Sequence, residues 1–440
     1  MGHRADLEAI YRAGVEAVAP GHLIRRHVRR AGGRIEVDLG TRRFRVPVGE
    51  LWVAGAGKAA AAMAEAIADL APEARGLVIA PRGRTGARTR RVGRIDILPG
   101  SHPVPDRLSF ASTEALLRRL RRRPPTDTVL FLLSGGASAL LARPTRGVGE
   151  RDKVRLGRLL LKCGADIGLM NAVRKHVSSV KGGGVLRAAA PRRVLTLALS
   201  DVIGDPLPTI GSGPTVADPS TFEEAWRGLA ALGVLGDLPV AVRRRLEAGC
   251  AGRPDVVETV KPGSADERRS YPCVIGSNRI ALNGAAREAR RRGYRVENLR
   301  APLRGEAAMA AAAFVAGLGG RGGPTCILAG GETTVSVGKA TGRGGRNQEF
   351  AVAAMAGLAG GPWSLLSAGT DGIDGQTPAA GGFADGRSRR RAGGAAVVRR
   401  VLREHDCGGL LESIGDTLVT GPSGTNVMDF VAALRGPSAK

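Results

Sequence analysis

The stretch LWVAGAGK (residues 51–58) carries the pattern that decides the fold. Its apolar start, its glycine-rich end and the alanine-rich segment at 59–70 that follows predict a strand, a tight turn and a helix. The same order returns in TVLFLLSGGAS (residues 128–138). Strands that alternate with helices and end in glycine-rich turns predict a parallel, doubly wound sheet, which places ligands at the carboxyl ends of its strands.

Further periodic segments extend this pattern along the chain. Residues 6–30, 109–122 and 150–163 are predicted as helices, 76–81, 95–98 and 194–199 as strands, and 34–46 as a hairpin. A second set of strands and helices begins near residue 271. The turn-rich composition of residues 231–272 is typical of a connector. We therefore expect a Rossmann-like α/β domain with a mainly parallel sheet at residues 1–245 and a second α/β domain at residues 246–440, facing each other across a cleft.

Charge and composition bear on the class of partner. The chain has 440 residues and a formal net charge of +26, from 66 basic and 40 acidic residues. Only eight of the basic residues are lysine, and an arginine excess in an alanine- and glycine-rich chain indicates GC-rich codon usage. Aromatic residues make up 3%, too few for base-stacking platforms. We interpret the basic runs as solvated faces and expect no nucleic-acid partner, although an anionic small substrate would suit them.

Cysteine usage and hydropathy bear on the compartment. The five cysteines form no C-x-x-C pair, which argues against a disulfide framework or a structural zinc site and fits a reducing cytoplasm. The longest apolar stretch, residues 129–142, is interrupted by polar and glycine residues and is shorter than a membrane-spanning helix. The first residues lack the apolar core of a secretory signal. We expect a cytoplasmic protein with no membrane partner.

Polar clusters follow probable strand ends at seven places. They combine glycines with a small hydroxyl or a charged residue: Gly55–Lys58, Ser134–Ser138, Ser200–Asp205, Gly330–Glu332, Gly344–Glu349, Gly369–Asp374 and Gly421–Asn426. Exposed glycine N–H groups suit phosphate groups. Carboxylates without histidine or cysteine partners suit magnesium, and the clusters supply Asp201, Asp205, Glu332, Asp371 and Asp374. Taken singly, each cluster is also compatible with a plain turn or a helix cap.

Lys58 is a candidate for binding an anion. It is expected at a helix N-terminus, where backbone amides and the ammonium group together attract negative charge. Its loop is not a Walker A motif, because Trp52 stands at the first glycine position and Ala59 follows the lysine. Nor is it a G-x-G-x-x-G fingerprint, because Ala60 stands at the last glycine position. A plain surface lysine is the alternative interpretation.

The segment NAVRKHVSSVKGG (residues 171–183) is the second basic candidate. Helical spacing places Asn171, Arg174, Lys175 and Ser178 on one face. Arg174 and Lys175 could hold an anionic substrate there. The alternative is a solvated helix that ends at its glycines.

The order of these motifs resembles one known family. The motifs are G-x-G-K at 55–58, S-G-G-x-S-A-L at 134–140, V-R-K-H-V-S-S-V-K-G-G at 173–183, L-S-D-V-x-G-D at 199–205, G-S-G-P-T-V-A-D-P at 211–219, G-G-E-T-T-V at 330–335, G-R-G-G-R-N-Q-E at 342–349, G-T-D-G-x-D-G at 369–375 and G-P-S-G-T-N-V at 421–427. They are similar to those of the glycerate 2-kinases of the MOFRL type, over residues 7–434. The resemblance implies two α/β domains and an ATP- and Mg²⁺-dependent kinase acting on D-glycerate.

The resemblance also implies site residues. The family's cleft positions fall on Lys58, Asp201, Glu332, Arg346, Asp371 and Asn426. Lys58, Arg346 and Asp201 are expected to be catalytic, and Asp201, Glu332 and Asp371 are expected to hold Mg²⁺. Substrate and nucleotide binding is expected from Gly55, Gly57, Ser134, Gly135, Gly136, Ser138, Arg174, Lys175, Asn347, Gly369, Thr370 and Asn426. The implied reaction is in-line phosphoryl transfer from ATP to the C2 hydroxyl, giving 2-phosphoglycerate, and the carboxylate that takes the proton stays open.

Two other functions are compatible with parts of the sequence. Some members of the family carry the older name hydroxypyruvate reductase, and an NAD(P)H-dependent reductase would need a dinucleotide site, against which the missing G-x-G-x-x-G argues. A nucleic-acid-binding protein would show strong, salt-dependent retention of DNA or RNA. Assembly as a homodimer stays open.

Overall fold

The computed structural model describes residues 2–83, 88–320, 322–338 and 340–436. The helices are α1 (Gly2–Glu16), α2 (Pro20–His27), α3 (Ala60–Leu70), α4 (Arg107–Arg121), α5 (Ala137–Leu140), α6 (Glu150–Lys162), α7 (Ile167–His176), α8 (Gly184–Ala188), α9 (Phe222–Ala231), α10 (Val240–Cys250), α11 (Asn278–Arg291), α12 (Ala307–Ala316), α13 (Arg346–Leu358), α14 (Ser388–Arg391), α15 (Ala395–Glu404) and α16 (Cys407–Ser413). Short 3-10 turns lie at Val48–Glu50, Ile210–Ser212, Leu235–Asp237 and Glu267–Arg269. Among these residues, none of the helices combines the length and apolar character required for a membrane span.

The strands are β1 (Val28–Ala31), β2 (Arg34–Asp38), β3 (Arg43–Pro47), β4 (Leu51–Ala56), β5 (Arg75–Pro81), β6 (Arg90–Val92), β7 (Arg94–Gly100), β8 (Thr128–Leu133), β9 (Arg193–Leu199), β10 (Ser270–Gly276), β11 (Arg295–Asn298), β12 (Leu303–Glu306), β13 (Thr325–Thr334), β14 (Trp363–Gly369), β15 (Gly381–Asp385), β16 (Thr417–Leu418) and β17 (Asp429–Arg435). The chain divides into two compact units. Unit 1 is Met1–Leu23 with Gly276–Lys440, and unit 2 is Ile24–Ile275.

Unit 2 contains a seven-stranded sheet with the order β10-β9-β8-β4-β5-β7-β6. The five central strands β9, β8, β4, β5 and β7 are parallel, and β6 is antiparallel to β7. Every residue of β4 and β8 is buried, as expected for strands with both faces covered. On one face, Trp52 and Phe131 pack with Leu116 and Leu120 of α4. The parallel sheet predicted from the LWVAGAGK stretch is confirmed.

Glycines inside this sheet allow the strands to lie close together. A Cβ on Gly55 of β4 would overlap the backbone oxygen of Leu132 in β8, and a Cβ on Gly76 of β5 would overlap the backbone oxygen of Val53. Gly55, which the sequence suggested as a binding residue, therefore serves the packing of two strands.

The division into units differs from the boundary predicted at residue 245. Residues 231–272 were interpreted as a connector, yet α10 lies within them, and its Val242 and Leu246 are buried with Phe222 of α9. The strand β10 then pairs beside β9 at the edge of the unit 2 sheet. Turn-rich composition hides these contacts because the buried residues are few and lie far apart in sequence.

Unit 1 contains a mixed sheet with the order β11-β13-β17-β14-β15-β16, while β12 pairs with β13. The strands β11 and β12 are parallel to β13, whereas β17 is antiparallel to both β13 and β14. One sheet face packs against helices α12, α13, α15 and α16, and the other against α1 and α11. The predicted helix at 6–30 is two helices, and Leu7, Ile10 and Tyr11 of the first are buried against α11.

A buried ion pair ties the end of α7 to the loop before α9. Lys175 Nζ donates to Asp218 Oδ1 over 2.8 Å, and both side chains are almost wholly excluded from solvent. Ser220 donates two further hydrogen bonds to the same carboxylate, from its backbone N–H and its hydroxyl. Burial raises the pKa of Asp218, but the bonds from Lys175 and Ser220 outweigh it and hold the pKa below the ordinary value.

We predict that Asp218→Asn destabilises the chain. The substitution leaves the Lys175 ammonium buried without a counter-charge, which costs about 3–5 kcal/mol. For a domain of this size that corresponds to a fall of about 6–20 °C in the melting temperature. Glu223→Gln is the matched control, because it breaks the exposed Arg227–Glu223 pair, which contributes about 1 kcal/mol at most. Equal melting temperatures for Asp218→Asn and the wild type, by calorimetry, would contradict the role of the pair.

Candidate active site

The turns that follow β4 and β8 interlock in unit 2. Gly57 has φ +140°, and a Cβ on it would overlap the Ser134 hydroxyl. The backbone N–H of Lys58 donates to the Gly135 oxygen over 2.8 Å, and the N–H of Ala59 donates to Ser134 Oγ over 3.0 Å. Ser134 is buried and its hydroxyl is committed to this contact. The two turns thus fix Lys58 in position, and Ser134 acts by holding the turn.

A carboxylate and an imidazole meet Lys58 at this edge of the sheet. A Cβ on Gly135 would overlap Asp201 Oδ2, in the turn that follows β9. Gly136 has φ +79°, and a Cβ there would lie 3.0 Å from His102 Cδ2 and 3.2 Å from Lys58 Cγ. Glycine is required at both positions because side chains from three loops converge on their backbone. The sequence pattern identified Lys58 and Asp201 but gave no signal for His102.

The local electrostatics favour a proton acceptor beside a cation. Burial raises the pKa of Asp201, and its backbone hydrogen bond and the nearby Lys58 offset this only in part. Burial and the Lys58 charge lower the pKa of His102, so its imidazole is neutral near pH 7. A carboxylate with increased proton affinity near an ammonium group can accept a proton while the ammonium neutralises an anion.

A cavity of about 200 Å³ opens beside these turns. Gly136, His102 and Ser138 line it together with three cations: Lys153 from α6, Arg174 from α7 and Lys181 from the loop after α7. No Asp or Glu is found among its lining residues in the described part of the chain. Arg174, a candidate anion ligand from the sequence, lines this cavity. The cavity also brings in Lys181, which belongs to the basic segment at 171–183, and Lys153, for which the only sequence signal was the rarity of lysine.

Lys181 is anchored to Ser138. Its Nζ donates to both the backbone oxygen and Oγ of Ser138, each over 2.7 Å, and Ser138 Oγ also lies 2.9 Å from Ser212 Oγ. Burial and the neighbouring cations hold the pKa of Lys181 well below its ordinary value. Burial and Arg174 lower the pKa of Lys153 to about 8. Ser138 therefore orients a cation of the cavity.

The structure does not support Lys175 as an anion ligand. Its ammonium is taken by Asp218, as described above. Consecutive helical residues point about 100° apart, so Arg174 faces the cavity of about 200 Å³ while Lys175 points elsewhere. Sequence spacing placed Arg174 and Lys175 on one helical face, but Arg174 lines the cavity and Lys175 forms an ion pair.

In unit 1, the half-buried Arg346 lies between two carboxylates at the start of α13. Its Nε lies 2.9 Å from Asp429, and its Nη1 lies 3.1 Å from Glu332 Oε1. Burial raises the pKa of Asp429, and Arg346 counteracts this. Asp429 was missed from the sequence, although it opens β17 directly after the Gly421–Asn426 cluster. The pair of carboxylates fixes the guanidinium.

Asn347 and Asp374 support the same helix start. Asp374 accepts the backbone N–H groups of Asn347 and Gln348, over 3.1 and 2.8 Å, and so caps α13. Asn347 Nδ2 donates to Asp374 and Asp429, and its Oδ1 accepts from Ser367. Burial raises the pKa of Asp374 to about 6. Asn347 is buried with its amide fully occupied, so it positions its neighbours instead of contacting a ligand.

The loop that follows β14 is held by its own polar groups. Buried Thr370 donates its hydroxyl to the Met428 oxygen and accepts the Val427 N–H. The Gly369 oxygen accepts from the Tyr11 hydroxyl over 2.7 Å. Thr370 and Gly369, both suggested as binding residues, thus maintain the loop.

Asp371 lies in the loop after β14, and Asn426 lies in the loop before β17. Asp371 and Asn426 are both half-buried. Asn426 Oδ1 accepts from the Met428 N–H over 3.1 Å.

The carboxylates suggested for magnesium do not form a cage. Asp201 belongs to unit 2, whereas Glu332 and Asp371 belong to unit 1, and Glu332 is paired with Arg346. Within the described ranges, no group of three His, Cys, Asp or Glu side chains could hold a metal ion. Single carboxylates are compatible with Mg²⁺ that takes its remaining ligands from phosphate groups and water.

Comparisons with known proteins bear on the family of this chain. Residues 6–247 match a domain of unknown function, DUF4147, and residues 325–429 match the MOFRL family. The chain is 37% identical to a glycerate 2-kinase of Pyrococcus horikoshii, over 88% of this chain and 87% of that protein. It is 41% identical to an Agrobacterium vitis protein that carries the hydroxypyruvate reductase name, over 89% of this chain and 88% of that protein.

A solved structure extends the likeness to the fold. The crystal structure of a glycerate kinase from Thermotoga maritima matches with a TM-score of 0.82 and 32% identity, covering 97% of each chain. The resemblance seen in the motifs is confirmed, and this chain belongs to the MOFRL family of glycerate 2-kinases.

Proposed function

We propose that this chain is an ATP-dependent kinase that phosphorylates D-glycerate at its C2 hydroxyl and yields 2-phosphoglycerate. The observation that carries the proposal is Lys58, fixed by interlocked glycine turns beside Asp201, in a chain of this family. A phosphoryl-transfer site needs fixed cations for the moving charge and a proton acceptor for the attacking hydroxyl. We place the reaction in the cytoplasm, with D-glycerate and a nucleotide as the partners.

Asp201 is the group that we assign to the substrate hydroxyl. The hydroxyl proton passes to the Asp201 carboxylate, the C2 oxygen forms the new bond to the γ-phosphorus, and the bond from phosphorus to ADP breaks with its electron pair on ADP. Burial increases the proton affinity of Asp201, which suits this task. Lys58 neutralises charge on the transferred group.

Arg346 takes a related role. Asp429 and Glu332 contact its Nε and Nη1, so within the described part of the chain Nη2 is left for a phosphate oxygen. A guanidinium whose orientation is fixed in advance loses little entropy when it binds a phosphate group.

Mg²⁺ is the ion that we propose for the nucleotide. When bound, it neutralises phosphate charge and orients the phosphoryl group. Asp371 of unit 1 is the residue that would hold it, with Glu332 as a further ligand if it leaves Arg346.

We predict that Lys58→Met lowers kcat about 10²- to 10³-fold, as expected for the loss of one charge contact in the transition state. Because Lys58 is exposed, the melting temperature of Lys58→Met should equal that of the wild type. Lys162→Met, at the exposed end of α6, is the control with the same chemical change. An ATP-consumption assay with D-glycerate measures the effect. Near-normal turnover in Lys58→Met would remove this lysine from the catalytic set.

Arg346 requires a more conservative pair of variants, because its removal leaves Asp429 buried and unpaired. Arg346→Met should lose both turnover and stability. Arg346→Lys keeps the charge near Asp429 but lacks the planar fork, so it should keep most stability and lose kcat about 10²-fold. Calorimetry and the same ATP-consumption assay measure both effects. Normal turnover in Arg346→Lys would contradict a role for the guanidinium fork.

The position of phosphorylation is expected to be C2. Transfer to C2 brings phosphate and carboxylate charges closer together than transfer to C3, and closely placed cations offset the extra repulsion. The test adds enolase to the product without phosphoglycerate mutase. 2-Phosphoglycerate is dehydrated to phosphoenolpyruvate and absorbance rises. A product that reacts only after mutase is added is 3-phosphoglycerate, which would contradict the C2 assignment.

A further inference from the structure

The cavity of about 200 Å³ in unit 2 is lined by several cations and, among the described residues, by no carboxylate. Lys153, Arg174 and Lys181 line the cavity of about 200 Å³ in unit 2, and Arg158 adds a fourth cation at its exposed rim. The side chains of Lys153 and Lys181 are 9% and 3% exposed. Buried charges are costly unless they are paired, and like charges at short range add to the cost.

The neighbouring Lys175 is a buried lysine of the same unit whose charge is paired with a carboxylate. Its ammonium is buried to a similar degree and has the carboxylate of Asp218 at 2.8 Å. By contrast, Lys181 contacts only the neutral oxygens of Ser138, and no ion pair to Lys153 or Arg174 exists among the residues that the structure describes. With no acidic partner at hand, a bound anion would supply the counter-charge that keeps these side chains protonated.

The cavity leads to the reacting groups. Gly136 and His102 belong to its lining, and a Cβ on Gly136 would lie 3.2 Å from Lys58 Cγ. The apolar lining includes Val104, Leu156 and Leu161. A small acid with its carboxylate among the cations would present its hydroxyl side to Lys58 and a short carbon chain to the apolar lining.

We propose that Lys153, Arg174 and Lys181 form the seat of the substrate carboxylate, and that the cavity binds short 2-hydroxy acids as a class. The choice of D-glycerate as probe rests on the proposed function. Three cations around one carboxylate exceed the charge of the acid, so the seat favours the anionic form strongly and binds the acid before any nucleotide is present. Lys153 and Lys181 are thus substrate-binding residues, and Ser138 is a positioning residue for Lys181.

The first test measures binding without turnover. D-glycerate is added to the full chain without nucleotide, and the melting temperature is recorded for the wild type, Lys153→Met and Lys162→Met. Lys162 lies on the same helix α6 and is exposed outside the cavity. We expect D-glycerate to raise the melting temperature of the wild type and the control, and to leave Lys153→Met unchanged. The ligand-free Lys153→Met should melt at or above the wild-type temperature, since one repelling charge is removed.

A second measurement separates binding from chemistry. Loss of one charged hydrogen bond to the carboxylate should raise KM for D-glycerate about 10- to 100-fold in Lys153→Met, while kcat changes less than threefold. In contrast, Lys58→Met lowers kcat. Inorganic phosphate is tested beside D-glycerate to distinguish a carboxylate from a phosphate group as the occupant.

Three results would overturn the proposal. One is stabilisation of Lys153→Met by D-glycerate equal to that of the wild type. Another is protection by phosphate with none by D-glycerate, which would make the cavity a phosphate site. The last is a ligand-free Lys153→Met that melts well below the wild type with unchanged KM, which would show a structural lysine. Because the thermal test needs no phosphoryl donor, a chain that binds D-glycerate here without phosphorylating it would contradict the proposed function alone.

Discussion

Parallel pairing of β9, β8, β4, β5 and β7 is the constraint on which the rest of unit 2 depends. Parallel strands end at the same edge of a sheet, so the turns after β4, β8 and β9 are brought side by side. At that edge the backbone of Lys58 bonds to Gly135, and Gly135 lies against Asp201. The glycines are required because three loops meet where no Cβ fits. The close approach of the loops is what places a lysine and a carboxylate together.

The electrostatics of the two units differ in a way that suits different tasks. In unit 1 Arg346 is held by Asp429 and Glu332, so its guanidinium is fixed in place before a ligand arrives. Among the described residues of unit 2, no acid lines the cavity beside Lys153, Arg174 and Lys181, and in our proposal these cations pair with a ligand. In this proposal unit 2 is less stable without its ligand, a trade-off between stability and function that is common at functional sites.

Local sequence predicted much of the fold, because strands and turns leave local patterns. The strand at Thr128–Leu133 and the helix after Lys58 agree with the structure to within a residue. Contacts between distant segments leave no such pattern. The packing of α1 against α11 joins residues more than 250 positions apart. The strand β17 directly follows a glycine-rich loop and was not predicted. The compact units, which depend on such contacts, therefore differ from the predicted domains at 1–245 and 246–440.

The site divides in the same way. Glycine-rich loops can be recognised in the sequence, and the charged residues inside them, such as Lys58 and Arg346, are recognised with them. Residues whose role depends on side-chain direction are not, so Lys175 was grouped with Arg174 and Lys153 was passed over as part of an amphipathic helix. Several suggested binding residues, among them Ser134 and Thr370, form hydrogen bonds to the backbone of the loops themselves. Burial and partners, which only the structure gives, separate ligand contacts from scaffolding.

The most direct measurement is a crystal structure of the chain with D-glycerate. The central claim is that the unbalanced cations of unit 2 receive the carboxylate of the acid, with the hydroxyl side toward Lys58. The expected electron density places the carboxylate within hydrogen-bond distance, about 3 Å, of Lys153 or Lys181. Density for the acid at Arg346 or elsewhere, with none among Lys153, Arg174 and Lys181, would contradict the claim.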